Sequence, residues 1–139
     1  MAVNAGAHGI GVVGLIEVQR ALRQVSDELP RELRQLHKRV SEIVARNAQG
    51  RAPELSGRLR ASLVARAEQR GASIKGGGAR VPYYGFIDFG GRVGRNKSVE
   101  RPFIREGRII FPAIVATRDE ALETYDEGMA DLLDRAHLT

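Results

Sequence analysis

Val81-Pro82-Tyr83-Tyr84-Gly85-Phe86-Ile87-Asp88-Phe89-Gly90-Gly91 is the stretch around which the rest of the chain has to be arranged. It opens the region Tyr83 to Phe111, which holds six of the seven aromatic residues. Aromatic side chains carry the largest apolar area per residue, so this phrase, with Arg101-Pro102-Phe103 after it, anchors either a core or an interface. Two secondary structures suit it. Val81 to Phe89 reads as a strand, while Tyr83, Phe86 and Ile87 fit the spacing of a short helix. Gly90 and Gly91 then release the chain into a basic loop, Arg92-Val93-Gly94-Arg95-Asn96-Lys97-Ser98.

Outward from this phrase the flanks differ in period. Leu15, Val18, Leu22, Val25 and Leu29 recur at helical spacing, and so do Leu33, Leu36, Val40, Ile43 and Val44. Pro30 falls between the two sets, with Ser26 and Asp27 as capping residues just ahead of it. Either a second helix starts near residue 27, or one long helix kinks there. Asn47-Ala48-Gln49-Gly50 reads as the stop. Leu59 to Ile74 alternates weakly, with Leu63, Ala65 and Ala67 on one face. A turn at Gln69-Arg70-Gly71 leads to a returning strand, Ala72 to Lys75, and such short polar strands pair antiparallel. Gly76-Gly77-Gly78 reads as a loose connector. On the far side, Gly107 to Phe111 reads as a strand ended by Pro112. Helical spacing then returns at Ile114, Leu122, Tyr125, Met129, Leu132 and Leu133. The expected fold is a single α+β domain over 1–139. It comprises a flexible arm (1–11), a helical region (12–50), a small antiparallel sheet with a long loop (51–112) and a C-terminal helix (113–137).

Composition narrows the function classes. With 139 residues the chain suits one domain, and 42 % hydrophobic and 28 % charged residues are ordinary for a soluble one. It contains no cysteine, which excludes disulfides and thiolate metal sites. The N-terminus lacks the basic start and apolar centre of a signal peptide, so the expected setting is a reducing cytoplasm. No apolar run approaches membrane-spanning length, and no membrane partner is expected. Charge is segregated. Residues 51–110 hold thirteen Lys/Arg against five Asp/Glu, or +8, while residues 111–139 hold two against seven, or −5. That division suits head-to-tail packing of subunits, a surface that meets nucleic acid, or two solvated faces.

No catalytic, cofactor or metal constellation emerges. Gly9-Ile10-Gly11-Val12-Val13-Gly14 matches the dinucleotide fingerprint, yet no buried strand precedes it and no parallel sheet follows. His8, His37 and His137 are scattered, without the spacing of metal ligands, and read as surface residues. Asp119-Glu120 and Asp126-Glu127 fit the solvated face of an amphipathic helix. Arg51, Arg58, Arg60, Arg66, Arg70, Lys75 and Arg80 could track phosphates, with Tyr83 or Tyr84 stacking on bases. This gives the alternative of a small basic DNA-binding protein, although no recognition helix accompanies them.

The order of the phrases is informative. A helical region precedes Ala52-Pro53-Glu54-Leu55-Ser56-Gly57-Arg58-Leu59-Arg60-Ala61-Ser62-Leu63. Then come Tyr83-Tyr84-Gly85-Phe86-Ile87-Asp88-Phe89-Gly90, Arg101-Pro102-Phe103 and a last helix. Over about residues 30–136 this resembles the head–tail joining, or tail-completion, family of long-tailed bacteriophages. Family members usually carry Glu and Thr where this chain has Asp88 and Gly91, and here Ile104 to Phe111 intervene before Pro112-Ala113. The resemblance implies a non-catalytic virion subunit, made in the bacterial cytoplasm, that forms a ring of six copies at the neck or top of the tail. Its partners would be connector or stopper proteins on one side and tail-terminator or tube proteins on the other, with packaged DNA passing through the channel. Within that frame Ser56 caps the turn around Leu59, Gly57 supplies unusual backbone geometry, and Leu59 and Leu63 fill the core. Phe86 and Phe89 are expected between helix and sheet, with Gly90, Pro102 and Phe103 as the rest of the motif. Tyr83, Tyr84, Arg92, Arg95, Lys97 and Arg101 are the expected subunit contacts, and the loop 91–100 is expected to order only on assembly.

Overall fold

The computed structural model describes residues 3–6, 9–12, 15–53, 57–68, 71–78 and 80–136. The fold is α+β, as the two hydrophobic periods imply. Helices α1 (Leu15–Val25) and α2 (Leu29–Arg51) are separate. The chain breaks at residues 26–28, where Ser26 Oγ accepts the Glu28 amide at 3.2 Å. Pro30 then sits in the first turn of α2, where its missing amide proton costs nothing. Gly50 does not stop α2. The helix runs one residue further to Arg51, and Ala52 turns extended (φ −75°, ψ 135°), as a residue before proline must.

Strands β1 (Val3–Gly6), β2 (Gly9–Val12), β3 (Val64–Glu68) and β4 (Gly71–Lys75) form one antiparallel sheet in the order β1-β2-β4-β3. The expectation of a flexible arm over 1–11 is therefore corrected for residues 3–6 and 9–11. Gly9, Ile10 and Gly11 pair with Ser73, Ala72 and Gly71, so this small-residue segment satisfies its backbone in the ladder. The same pairing disposes of the dinucleotide fingerprint: its first glycines lie inside an antiparallel strand, not in a phosphate-cradling loop.

Helix α2 is the spine. One side packs on β3 and β4, and another packs on α5 (Ile110–Arg135). Ser41 Oγ donates to the Ser73 carbonyl at 2.6 Å and Gln49 Nε2 to the Leu63 carbonyl at 2.8 Å, tying α2 to the sheet side. Toward α5, Leu33 and Leu36 are fully buried. The helices approach closely because Gly128 presents no side chain to Leu36, and a Cβ there would strike the leucine. His37, read as a surface histidine, is instead 1 % exposed. Its Nε2 shares a hydrogen bond with the Tyr125 hydroxyl at 3.1 Å, and the two rings lie 7° from parallel. Its position four after Leu33 and three before Val40 places it on the core stripe.

The expected strand at Gly107 to Phe111 is also corrected. Residues 105–109 form a turn and Ile110 begins α5, with Pro112 in its first turn. Ile109 and Ile110 are buried because they start the helix over the core. His8, His137 and Ser56 lie outside the described residues.

Burial holds two phenols neutral. It pushes the Tyr125 hydroxyl up to about 12, with the Asp126 charge as a lesser cause. Tyr84 is raised further by burial, then by its hydrogen bond to Asp88 and that carboxylate's charge. For an acid whose folded pKa is raised, stability is complete below the ordinary tyrosine value of 10 and declines as pH climbs through the folded value. The urea midpoint should therefore hold to about pH 10 and fall by pH 12, with tyrosinate absorbance rising in step. A midpoint flat to pH 12 would contradict the burial of these rings.

Candidate assembly surface

The deciding phrase folds as a short helix, α4 (Tyr84–Phe89). Tyr83 and Tyr84, expected at a subunit contact, and Phe86 and Phe89, expected between helix and sheet, are all half-buried, and of the four Tyr83 and Tyr84 pack against the core, with Ile87. The Tyr84 ring lies over Gly76 and Gly77. A Cβ on Gly76 would sit 2.7 Å from Tyr84 Cζ and 2.9 Å from a methyl of Leu63, so these glycines form a bed for the ring and not a slack connector.

Asp88 holds this region together. It is 1 % exposed, and its Oδ2 accepts the Tyr84 hydroxyl at 2.7 Å. Its Oδ1 accepts the backbone amides of Arg108 at 2.7 Å and Ile109 at 2.9 Å. One carboxylate thus fastens α4 to the entrance of α5, and its charge faces amide donors there. Gly107 keeps the approach open: its φ is +84°, and a Cβ would lie 2.5 Å from Asp88 Oδ1.

Beyond Gly90 the expected long loop is a hairpin. Strands β5 (Gly91–Val93) and β6 (Val99–Arg101) pair Gly91 with Arg101, Arg92 with Glu100 and Val93 with Val99. A 3-10 turn at Arg95–Lys97 closes it, with Asn96 (φ 61°) and Lys97 (φ 53°) left-handed. Its base is tied to the body. Ile104 N donates to the Phe89 carbonyl at 2.8 Å, and the Arg108 guanidinium bonds the carbonyls of Asp88 and Pro102. Past the base the hairpin projects. Alternation puts Val93 and Val99 on one face and the Arg92–Glu100 ion pair (3.6 Å) on the other. That pair is solvated and contributes at most about 1 kcal/mol.

The expected contact residues divide accordingly. Arg92, Arg95 and Lys97 are exposed along or at the tip of the hairpin, while Arg101 is half-buried at its base. Phe103, expected to anchor either a core or an interface, is 70 % exposed, and Pro102 is exposed beside it. Both sit at the hairpin's base, where Arg108 holds the Pro102 carbonyl and Ile104 N bonds to Phe89. Gly57 (φ +75°) and buried Leu59 serve as expected at the start of α3 (Arg58–Ser62). Sequence reasoning missed Asp88 as a hub and Arg108 as a clamp. A lone acid inside an aromatic run was the available signal, since a buried carboxylate needs donors.

The chain matches no family model, no curated protein and no solved structure.

Two further features complete the surface. Among the described residues no group of three or more His, Asp or Glu is placed to hold a metal, and no helix is long and apolar enough to cross a membrane. A hollow beside α3 is lined by Arg58, Ser62, Gly77, Gly78 and Arg80, with both arginines exposed.

Proposed function

We propose that this chain is a non-catalytic virion subunit that closes into a ring at the neck or upper tail of a long-tailed bacteriophage. The observation that carries the reading is the projecting hairpin. Val93, Val99 and Phe103 stand 40 %, 51 % and 70 % exposed, with Ile104 next to Phe103 at 39 %. Exposed apolar groups gathered on a protrusion suit insertion into a partner. The order of the Ser-Gly-x-Leu, Asp-Phe-Gly and Pro-Phe phrases supports the placement in the virion. The proposed neighbours are further copies of itself, six to a ring, with a connector or stopper protein on the head side and a terminator or tube protein on the tail side. DNA passes through the opening, and assembly takes place in the bacterial cytoplasm.

Electron microscopy of particles made without this protein tests the reading. Filled heads and finished tails should accumulate unjoined. Intact virions would overturn it.

The second reading, a small basic DNA-binding protein, is favoured by Arg58 and Arg80 flanking one hollow. Phosphate contacts make affinity fall steeply with salt. A duplex that fails to bind even at low ionic strength would end this alternative.

A further inference from the structure

Helix α5 carries a second unpartnered surface. Phe111, Val115, Asp119, Glu123 and Glu127 recur every fourth residue, and all five are exposed. They form one stripe on the side away from the buried Ala113, Thr117, Ala121 and Tyr125. Its first turns are apolar, with Phe111 43 % and Val115 59 % exposed. The rest is acidic, and Glu120, Asp126 and Asp134 widen the negative region, with Arg118 the only basic residue between Phe111 and Asp134.

The hairpin repeats this succession with opposite charge. Phe103 is exposed at the base, Val99 and Val93 share one face of the shaft with half-buried Arg101 between them and the base, and Arg95 and Lys97 form a positive tip, with Arg92 beside it. The spans agree as well. Phe111 to Glu123 covers roughly 18 Å of helix, and Phe103 to Lys97 roughly 20 Å of extended chain. The exposure of both surfaces means that the hairpin does not lie on its own α5. DNA would suit the positive tip but not the exposed apolar groups, and it leaves the acidic stripe without a role.

We propose that the hairpin Gly91–Arg101, with Phe103, lies along the Phe111–Glu127 stripe of α5 in a second copy of this chain. Phe103 and the two valines cover Phe111 and Val115, and Arg95 and Lys97 meet Asp119 and Glu123. The two surfaces differ, so the contact is head-to-tail, the kind that closes rings when the rotation permits. The proposal rests on the ring reading and names the contact that would build the ring.

Charge exchange tests it. Arg95→Glu with Lys97→Glu reverses the tip, and Asp119→Lys with Glu123→Lys reverses the stripe. All four side chains are exposed, so circular dichroism should report an unchanged fold. Native mass spectrometry and sedimentation at low salt should find the wild type assembled and each two-site variant at least tenfold weaker in self-association. An equimolar mixture of the two variants should assemble again, alternating around an even-numbered ring, and so should one chain carrying all four changes. Undiminished assembly of either variant, or no recovery on mixing, would overturn this contact while leaving the ring reading in place. A wild type that stays monomeric at every concentration would overturn both.

Discussion

Asp88→Ala is expected to destabilise the protein by about 3 kcal/mol, a large share of the stability of a domain this size. The substitution strands the Ile109 amide in a buried site and the Tyr84 hydroxyl in a part-buried one, at up to about 1–3 kcal/mol for each unsatisfied group. The Arg108 amide loses less, since it keeps the Asp88 carbonyl at 3.0 Å. Relief from burying a charge offsets part of the loss. Asp88→Asn separates hydrogen bonding from mere space-filling. Its amide oxygen can still accept the two backbone amides, and its NH2 can donate to a rotated Tyr84 hydroxyl. Only the charge assistance is lost, at about 1 kcal/mol. Denaturant midpoints should rank wild type, Asn and Ala in that order. Equal midpoints for the two variants would refute the hub.

Gly90→Ala should be about as damaging, for a different reason. Gly90 has φ 87° and ψ −163°, a region of backbone space that is almost exclusively glycine's, and a side chain there costs about 1–3 kcal/mol in strain. A Cβ would also run into the Pro102 carbonyl. That carbonyl cannot easily retreat, because Arg108 holds it and Ile104 is bonded to Phe89 just beyond. The combined loss should reach about 3 kcal/mol, or else the hairpin should detach from the body, with fast hydrogen exchange at Ile104. Gly85→Ala is the control. No atom lies within 4 Å of its Cβ position and it is helical, so alanine should add about 0.5–1 kcal/mol of stability. Like effects at 85 and 90 would show that the close approach does not constrain the chain.

The elements with long, regular periods were legible in the sequence. Leu33, Leu36, Val40 and Val44 are buried as their spacing implies, and so are Ile114, Tyr125, Met129 and Leu132. Leu63 sits on the buried side of its strand region and Val64 on the exposed side, as alternation requires. The elements settled by distant partners were harder to read. Residues 3–12 lack large apolar side chains beyond valine and isoleucine, and their strands exist through backbone pairing with one another and with β4. Tyr83 and Tyr84 suggested a wet contact because of their polar tips, yet Tyr84 finds its hydroxyl's partner within the fold. Phe103 reads in sequence as an anchor for either a core or an interface. Its neighbours Pro102 and Ile104 are tied to the body through their backbones, and the ring between them faces solvent. The candidate site was therefore legible as a region, 83–103, while the division between inside and outside depended on where Asp88 anchors the chain.

The order β1-β2-β4-β3 bears on how fast the molecule can form. The first strands join the sheet only through Ser73 and its neighbours, and His37 meets Tyr125 across 88 residues of chain. Contacts this far apart require large loops to close before they return any stability, which places the search among slower topologies for its length. The β3–β4 and β5–β6 hairpins are local and can appear early. The sheet gains its N-terminal half, and α2 its cover, late. A nascent chain still waiting for α5 exposes the α2 leucines, so its yield in a crowded cell should depend on holdase chaperones more than the final stability suggests.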